Sequence, residues 1–566
     1  MIKCITTHYK PLNIYQLYLD FYKYITHLPR INLYVKYIML NIQKLKLAND
    51  WLIDIKSNNL NISYKNDPQI ILNYTPVPNE TYDTIIVGSG IAGMTSALFA
   101  QKENETILML EASPDTIGGT TIQSSGWIWI PNNTFMNNTD LKDDALAYMA
   151  RIAYPQKYKA GANKYGLSDY EYQMLEVYYD NGKSVMQLTK EKYGIEWIHV
   201  RDFAGNLWPD YYNVPENKNN RGRIVRIKDP KTGEAFTSGY KILMYLQGFI
   251  KNMTLKMDSE VSELINENML KVGDKVYKAN KKIIFATAGF ARNDNLKEHN
   301  MHGHTTYGTC SGLYSKGALI DICLHHGYQL RLMNQGWFFE VIKKEPGLTM
   351  WFLWYDRFFV VNANGKRVYD EGGNYNERCK AHFNGKNNLI LVYNSQLVSE
   401  FPKDYYINPK SPWVHTADSL EKLSTVLNSD VDLSQNFNSN VSETLNKYNE
   451  YCIQGVDKEF NRGSNPSTLS WLDYSKYSSG YNAQFPKFPN PALQPISNGP
   501  YYAIVLTSGM IDTKGGPIIT SRCQIQGSNM LYASGNCVAH ATGEGYFGPG
   551  STWGWAMVSG MITGSS

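Results

Sequence analysis

The order strand, glycine-rich turn, helix, strand, acid over Asp83–Glu111 constrains this chain more than any other feature. The apolar run Thr84-Ile85-Ile86-Val87 meets Gly88-Ser89-Gly90-Ile91-Ala92-Gly93, and an apolar helical pattern follows. A second apolar run, Thr106–Leu110, ends in Glu111. The three glycines act differently. Gly88 permits the tight turn, Gly90 lets the backbone approach a pyrophosphate, and Gly93 lets helix and strand pack closely. The helix N-terminus around Ser89, Ile91 and Ala92 offers unpaired N–H groups to phosphate. Glu111 is placed, with Ala112 beside it, to accept from ribose hydroxyls and to repel a 2′-phosphate, which argues against NADP.

The next residues choose the nucleotide. Gly118-Gly119-Thr120-Thr121 follows closely, then Ser124-Ser125-Gly126-Trp127-Ile128-Trp129-Ile130-Pro131-Asn132-Asn133. A nicotinamide site has no need of a second Gly-Gly-Thr-Thr loop here. A flavin site does, because the loop runs past the diphosphate toward the isoalloxazine. The expected cofactor is FAD, bound without a covalent link. The apolar run Lys282–Phe285 ends in Ala286-Thr287-Ala288-Gly289, small residues that let a cofactor approach a strand's C-terminal end.

At 566 residues the chain is long enough for more than one domain or one large composite. A net charge of +4, with no basic tract interleaved with aromatics, predicts no nucleic-acid partner. The seven cysteines form no C-x-x-C pair and read as reduced, packed thiols. His299, His302 and His304 lack a carboxylate pattern beyond Glu298, so packing or surface histidines are expected and no metal. No run of 18 apolar residues predicts a transmembrane segment. A cytoplasmic location is expected; a mitochondrial one is less favoured, since residues 1–47 hold one Arg and no Ser. Residues 1–80 stand apart and read as a helical surface extension of unassigned role. Asp140–Tyr193 is mostly helical in pattern, and Asp430–Tyr451 leads from a polar linker into a helix. Dense aromatics over 296–496 (Trp337-Phe338-Phe339, Trp351-Phe352, Trp354-Tyr355, Phe358-Phe359) are expected mostly in the core, with some lining an apolar pocket.

Four separated blocks resemble the 3-ketosteroid Δ1-dehydrogenase group of the fumarate reductase/succinate dehydrogenase flavoprotein superfamily. They are Val87 through Glu111; Gly118 through Asn133; Ile284-Phe285-Ala286-Thr287-Ala288-Gly289-Phe290; and Leu531-Tyr532-Ala533-Ser534-Gly535-Asn536 followed by Tyr546-Phe547-Gly548-Pro549-Gly550-Ser551-Thr552. The resemblance covers residues 81–566. It implies an α/β fold: a discontinuous Rossmann-like, GR2-type FAD-binding domain over 81–295 and 497–566, with an inserted α+β catalytic domain over 296–496. It also implies flavin contacts at Val261, Gly535, Asn536, Ser551 and Thr552. Four positions depart from the family pattern: Ser125 and Ala288 stand where it has Gly, Pro517 where it has Leu, and Asp370 where it has Asn. The methyl of Ala288 is expected to matter little, while Ser125 and Pro517 are expected closer to the flavin.

The implied reaction desaturates a carbon–carbon bond beside a ketone, with a proton going to a Tyr base and a hydride to flavin N5. Tyr546 and the Gly550 N–H match the pair that binds the ketone oxygen, and Gly550 opens a helix whose N-terminus favours negative charge. Tyr375, in Arg367-Val368-Tyr369-Asp370-Glu371-Gly372-Gly373-Asn374-Tyr375, matches the base, with Asp370 replacing Asn. In Pro209-Asp210-Tyr211-Tyr212 either tyrosine is a candidate for the pocket. The expected partners are an apolar cyclic ketone, a steroid or similar, and an electron acceptor outside the chain. Two alternatives stay open: a fumarate-reductase-like or other α,β-ene reductase, for which Arg357 and Arg367 are the candidate clamps, and a non-catalytic flavin-binding protein.

Overall fold

The computed structural model describes residues 51–56, 59–64, 77–350, 355–383 and 388–566, in two compact units, Met1–Val77 and Pro78–Ser566. In the first, Trp51–Lys56 and Asn59–Tyr64 form an antiparallel hairpin with Trp51 opposite Tyr64. The helical expectation fails over this stretch, where Ile53, Ile55 and Ile62 favour extended backbone. Residues 1–50 lie outside the described part.

The second unit is a mixed α/β structure. Its first sheet runs Met253–Lys256, Ile107–Leu110, Glu80–Val87, Lys275–Phe285, Met269–Val272, Glu263–Asn266, with Leu531–Ala533 also on Lys275–Phe285. The five strands Met253–Lys256, Ile107–Leu110, Glu80–Val87, Lys275–Phe285 and Leu531–Ala533 are parallel. Ile85, Ile86 and Ile107–Leu110 are buried without alternation, as a sheet covered on both faces requires. Val87 pairs with Leu110 on one side and Phe285 on the other. The three strands therefore end level, and Gly88, Glu111 and Ala286 leave the sheet along one edge.

The helix Ile91–Ala100 starts at that edge and is buried along its whole length. The C-terminal helix, Ser551–Ser565, lies against it. Small residues bring the two close: a Cβ on Gly560 would stand 2.7 Å from the Ala92 carbonyl oxygen, and one on Gly564 2.5 Å from that of Ser96. The hydroxyls of Ser96 and Thr563 meet at 3.0 Å. At the far end, buried Lys282 Nζ donates to the carbonyls of Thr563, Gly564 and Ser566 (2.7, 2.8 and 2.6 Å), satisfying acceptors that a helix end leaves open.

A second sheet runs Glu345–Met350, Gly336–Ile342, Tyr501–Thr513, Leu389–Asn394, Phe358–Val361, all antiparallel. Tyr501–Thr513 was expected with the nucleotide-binding segment 497–566, yet it is the central strand here. Trp337, Phe338, Phe339, Phe358 and Phe359 are fully buried; Trp351, Phe352 and Trp354 lie outside the described residues. A small antiparallel sheet, Ile128–Trp129, Ile224–Ile227 and Trp197–His199, stands beside the cavity described below. Among the described residues no helix is long and apolar enough to cross a membrane.

The tightest point is the crossing of the first turn and the first helix. A Cβ on Gly93 would overlap the carbonyl oxygen of Gly88. Gly93→Ala is expected to cost about 1–3 kcal/mol, as overpacking does. A thermal melt measures this, and an unchanged midpoint would contradict the close crossing.

Candidate active site

The level strand ends and the loops leaving them enclose a cavity of about 600 Å³. Gly88, at φ +103°, crosses so close to Ala286 that a side chain would strike its carbonyl. Gly118 and Gly119 are also left-handed, at φ +104° and +48°. Above Gly90 the space is open: a Cβ would meet only the Thr121 hydroxyl at 3.4 Å and the Gly118 carbonyl at 3.6 Å. The loops are knitted together by side chains. Ile91 N–H donates to Thr121 Oγ1 (3.0 Å), Gly118 N–H to Ser89 Oγ (2.8 Å), and Gly312 N–H to Thr120 Oγ1 (3.0 Å).

Glu111 does more than face a ribose. Its Oε2 accepts from the Ser89 N–H at 3.0 Å and from the Ser89 hydroxyl, and its Oε1 from the Ser113 N–H at 2.9 Å. A carboxylate accepts about four hydrogen bonds, so lone-pair capacity remains on the cavity side. Sequence reasoning found the residue and missed this bracing of the glycine turn.

Ala112, Ser124, Ser125, Val261, Ala286, Thr287, Ala288, Gly535, Asn536 and Thr552 also line the cavity. Five other positions do not, the first being Gly93, which packs on the Gly88 carbonyl. Gly126 packs on Ile242. Gly289 packs on Asp512, donating its N–H at 3.0 Å. Ser551 turns its hydroxyl to the Gly548 carbonyl at 3.2 Å, the local bond open to it at a helix start. Pro517, expected near the flavin, pairs with Leu330 in a separate short strand. Ala288 was expected to be a minor change from glycine, but it sits at φ +58°, where a Cβ costs about 1–2 kcal/mol.

The lining fits FAD. The hydroxyl of Ser534 is buried against the cavity without a hydrogen-bond partner, which a polar ligand would correct. The glycine cradle and the start of the Ile91–Ala100 helix present N–H groups suited to a diphosphate.

Three tyrosines close the other end. Tyr211, Tyr375 and Tyr546 are buried and line the cavity. Their ring centroids stand 5.9 Å (Tyr211–Tyr375), 5.3 Å (Tyr211–Tyr546) and 5.8 Å (Tyr375–Tyr546) apart. The Tyr375 hydroxyl donates to that of Tyr546 at 3.3 Å and also hydrogen-bonds Tyr211. Burial pushes the Tyr375 phenol well above its ordinary value. Burial raises Tyr546 too, opposed by hydrogen bonds from Tyr375, Thr552 and the Gly550 N–H. Tyr212 does not join the group. Its neighbour takes the inward position, and its own hydroxyl donates to Glu377 Oε1 at 2.8 Å, outside the cavity.

Local structure explains these positions. Tyr375 opens the helix Tyr375–Lys380, capped by Asn374, whose side chain accepts from Glu377 N–H at 3.1 Å. Arg378 anchors the helix to Glu340 through two bonds of 3.2 and 3.1 Å. Trp129 donates from Nε1 to Asp210 at 2.7 Å, Arg223 pairs with Asp210 and Asp140, and Tyr211 N–H reaches the Phe547 carbonyl at 3.3 Å. The Trp-x-Pro-Asn-Asn block thus positions Tyr211 rather than the cofactor alone. Gly550, at φ +86°, packs on the Trp127 carbonyl and opens the C-terminal helix.

Sequence reasoning missed part of the wall. Trp471 and Tyr474, on the helix Pro466–Ser478, line the cavity with Trp127. The aromatic pair at i, i+3 behind an Asn-Pro helix start was the available signal. The described aromatics of 337–359 all stay in the core. Among the described lining residues there is no Arg, Lys or His. Arg357 is instead held by Glu400 at 2.8 Å, and Arg367 by Glu371 and Asp457 at 2.6 and 2.8 Å. His304 stacks on Phe383, as a packing histidine does. Among the described residues no group of His, Cys, Asp or Glu is arranged to hold a metal.

A glycine-cradled cavity with this donor set defines a flavin-binding protein. The chain belongs to the FAD binding domain family, whose match spans residues 83–552. It is similar to 4-oxocyclohexanecarboxylate 2-dehydrogenase of Sinomonas cyclohexanicum, at 22% identity over 86% of this chain and 93% of that one. It is also similar to 3-oxosteroid 1-dehydrogenase of Mycolicibacterium smegmatis, at 24% identity over 85% and 96%. Its fold matches 3-ketosteroid delta1-dehydrogenase from Sterolibacterium denitrificans with a TM-score of 0.70 and 21% identity, over 86% of this chain and 98% of that one.

Gly90 has ordinary backbone angles, so Gly90→Val tests the cradle without straining the fold. The variant is expected to melt near the parent apoprotein but to bind FAD at least about tenfold more weakly, a loss of about 1.4 kcal/mol. Titration of apoprotein with FAD measures this. Unchanged affinity would place the diphosphate elsewhere.

Proposed function

We propose that this protein is an FAD-dependent oxidoreductase acting on a CH–CH group, desaturating the bond beside the carbonyl of a cyclic ketone as a 3-oxosteroid 1-dehydrogenase does. The observation that carries this reading is the cluster of three buried tyrosine hydroxyls, with Gly550 N–H beside Tyr546, in an FAD cavity that no cationic side chain lines among the described residues. The relatives' reactions on a cyclic oxo acid and on a 3-oxosteroid favour the same class. Internal pairing of Arg357 and Arg367 weighs against a reductase that clamps a dicarboxylate.

In this reading Tyr546 O–H and Gly550 N–H donate to the ketone oxygen. That lowers the energy of the enolate as charge develops there. Tyr375 takes the α-proton onto its phenolate oxygen, and the electron pair of the broken C–H bond moves into the enolate. Tyr211 holds the Tyr375 oxygen in place. Bound FAD, held non-covalently, supplies the two-electron acceptor for the hydrogen that leaves the β-carbon with its electron pair. Trp127, Trp471 and Tyr474 exclude water from the reacting face. The proposal divides the chain into a discontinuous Rossmann-like FAD-binding domain of the GR2 type, over 81–295 and 497–566, and an inserted α+β catalytic domain over 296–496. The strand Tyr501–Thr513 joins the two. We further propose a cytoplasmic enzyme that passes its electrons to a separate acceptor.

Two measurements test this. Mixed anaerobically with a Δ4-3-oxosteroid or 4-oxocyclohexanecarboxylate, the holoprotein should lose its oxidised flavin band, and Tyr546→Phe should slow the loss about 10²–10³-fold. Flavin that dithionite bleaches and neither ketone does would overturn the reading. Because burial holds the Tyr375 phenol above its ordinary value, its reactive phenolate grows about tenfold per pH unit below that value. The bleaching rate should therefore climb from pH 7 to 9 in the parent and lose that dependence in Tyr375→Phe. A flat parent profile would remove Tyr375 as the base.

A further inference from the structure

Most of the buried arginines in this chain answer to a carboxylate. Arg223 pairs with Asp140 and Asp210, Arg357 with Glu400, Arg367 with Glu371, and Arg378 with Glu340. Arg226 differs. Its guanidinium carbon lies 4.9 Å over the Trp127 ring, and one Nη donates to the Ser125 carbonyl oxygen. Its Nε is buried without a hydrogen-bond partner. No acid stands within ion-pair distance of it among the described residues. Burial pulls its pKa down to about 10, which still leaves a cation at neutral pH.

The neighbours of this cation belong to the cavity: Ser125 and Trp127 touch it, and Tyr474 is the titratable group that acts on it. Arg226 sits on the strand Ile224–Ile227, one step beyond the pair Ile128–Val225, which brings it level with Trp127. A half-buried guanidinium on an aromatic face, with donors left over, suits a carboxylate, which its planar fork can grip in two bonds. Water alone would leave a partly desolvated charge uncompensated.

We propose that Arg226 anchors an anion subsite at the edge of the FAD cavity and that the substrate is a cyclic ketone carrying a carboxylate. The proposal rests on the reading given under Proposed function, which supplies the ketone end. Trp127 links the two ends: its carbonyl packs on Gly550 and its ring lies beneath Arg226. The gap between ketone site and anion site is therefore about one tryptophan side chain. That suits a single six-membered ring with a carboxylate better than a stack of fused rings. Among the described residues the cavity wall near the ketone site carries no cation, and the carboxylate is met at this edge.

The test uses the holoprotein, in anaerobic stopped flow, with 4-oxocyclohexanecarboxylate and its uncharged methyl ester. The flavin spectral change that precedes bleaching reports binding, and the bleaching itself reports reaction. The acid is expected to bind at least tenfold more tightly than the ester, and added salt should weaken the acid alone. In Arg226→Gln the preference should fall to near parity, while Arg226→Lys, which keeps the charge, should retain part of it. Equal binding of acid and ester by the parent protein, or a preference that survives in Arg226→Gln, overturns the subsite. If Arg226→Gln does not fold, the acid-to-ester ratio in the parent and its salt dependence decide alone. Arg226-dependent binding of the acid without bleaching by either compound would keep the subsite and discard the desaturation reading. Bleaching by both, indifferent to Arg226, would do the reverse.

Discussion

The close contact of two helices holds this site together. Ile91–Ala100 begins at the glycine turn, and Ser551–Ser565 begins at Gly550. They meet through Ala92, Ser96, Gly560, Thr563 and Gly564, where added methyl groups would collide with backbone. Only small residues permit that approach, because each side chain removed lets the backbones come nearer. The two helices start side by side, so the first N–H groups of one and the Gly550 end of the other open into one cavity, though the sequence separates them by some four hundred and fifty residues. Lys282 secures the opposite end by caging the last carbonyls of the C-terminal helix. A change anywhere along this contact would therefore move both the glycine cradle and the Tyr546–Gly550 end of the cavity.

The nucleotide half was legible in the sequence because its physics is local. A tight turn needs Gly88, a close crossing needs Gly93, and a level strand end needs a short apolar run that stops on time. Tyr375 and Tyr546 were found by resemblance, and the fold brings them together as expected. The failures have a common cause, which is that they depend on contacts distant in sequence. Nothing local distinguishes Tyr211 from Tyr212: the choice follows from Trp129 and Arg223 gripping Asp210 and so setting which face of the loop turns inward. Tyr501–Thr513 reads as apolar strand in either sheet, and only its partners Gly336–Ile342 and Leu389–Asn394 assign it. Ala288 looked harmless because a sequence does not reveal φ.

Asp512 shows how the cofactor wall is stiffened without touching the ligand. It is fully buried with no cation beside it among the described residues, and burial raises its pKa. It accepts from Gly289 N–H and Asn536 Nδ2, both at 3.0 Å, and from Ser315 Oγ at 2.9 Å. Those three donors come from three separate chain segments, all of which carry cavity-lining residues. A carboxyl at that point fixes the end of the Lys275–Phe285 strand against the loop before the C-terminal helix. Gly289 has to be glycine because this side chain occupies the space its own would take.

The absence of a cation from the described lining shapes what chemistry the cavity can support. In the proposed desaturation an enolate formed there would meet no Arg, Lys or His of that lining, so hydrogen bonds and oriented backbone would have to meet its charge. Tyr546 and the Gly550 N–H provide the first, and the N-terminus of Ser551–Ser565 the second, worth roughly half a unit charge at its end. Such fixed dipoles are effective only where water cannot reorganise around the charge, since a high dielectric would dissolve the difference between ketone and enolate. The aromatic wall of Trp127, Trp471 and Tyr474 is thus part of the same device as the two donors. It keeps the field of the helix and of Tyr546 unscreened, and it also holds the Tyr375 phenol above its ordinary value, so that its phenolate, once formed, outranks the enolate as a base. A cation next to the ketone would lower the phenol and the enolate together and erase that ordering, which gives a physical reason for Arg226 to lie behind Ser125 and Trp127 rather than in the lining.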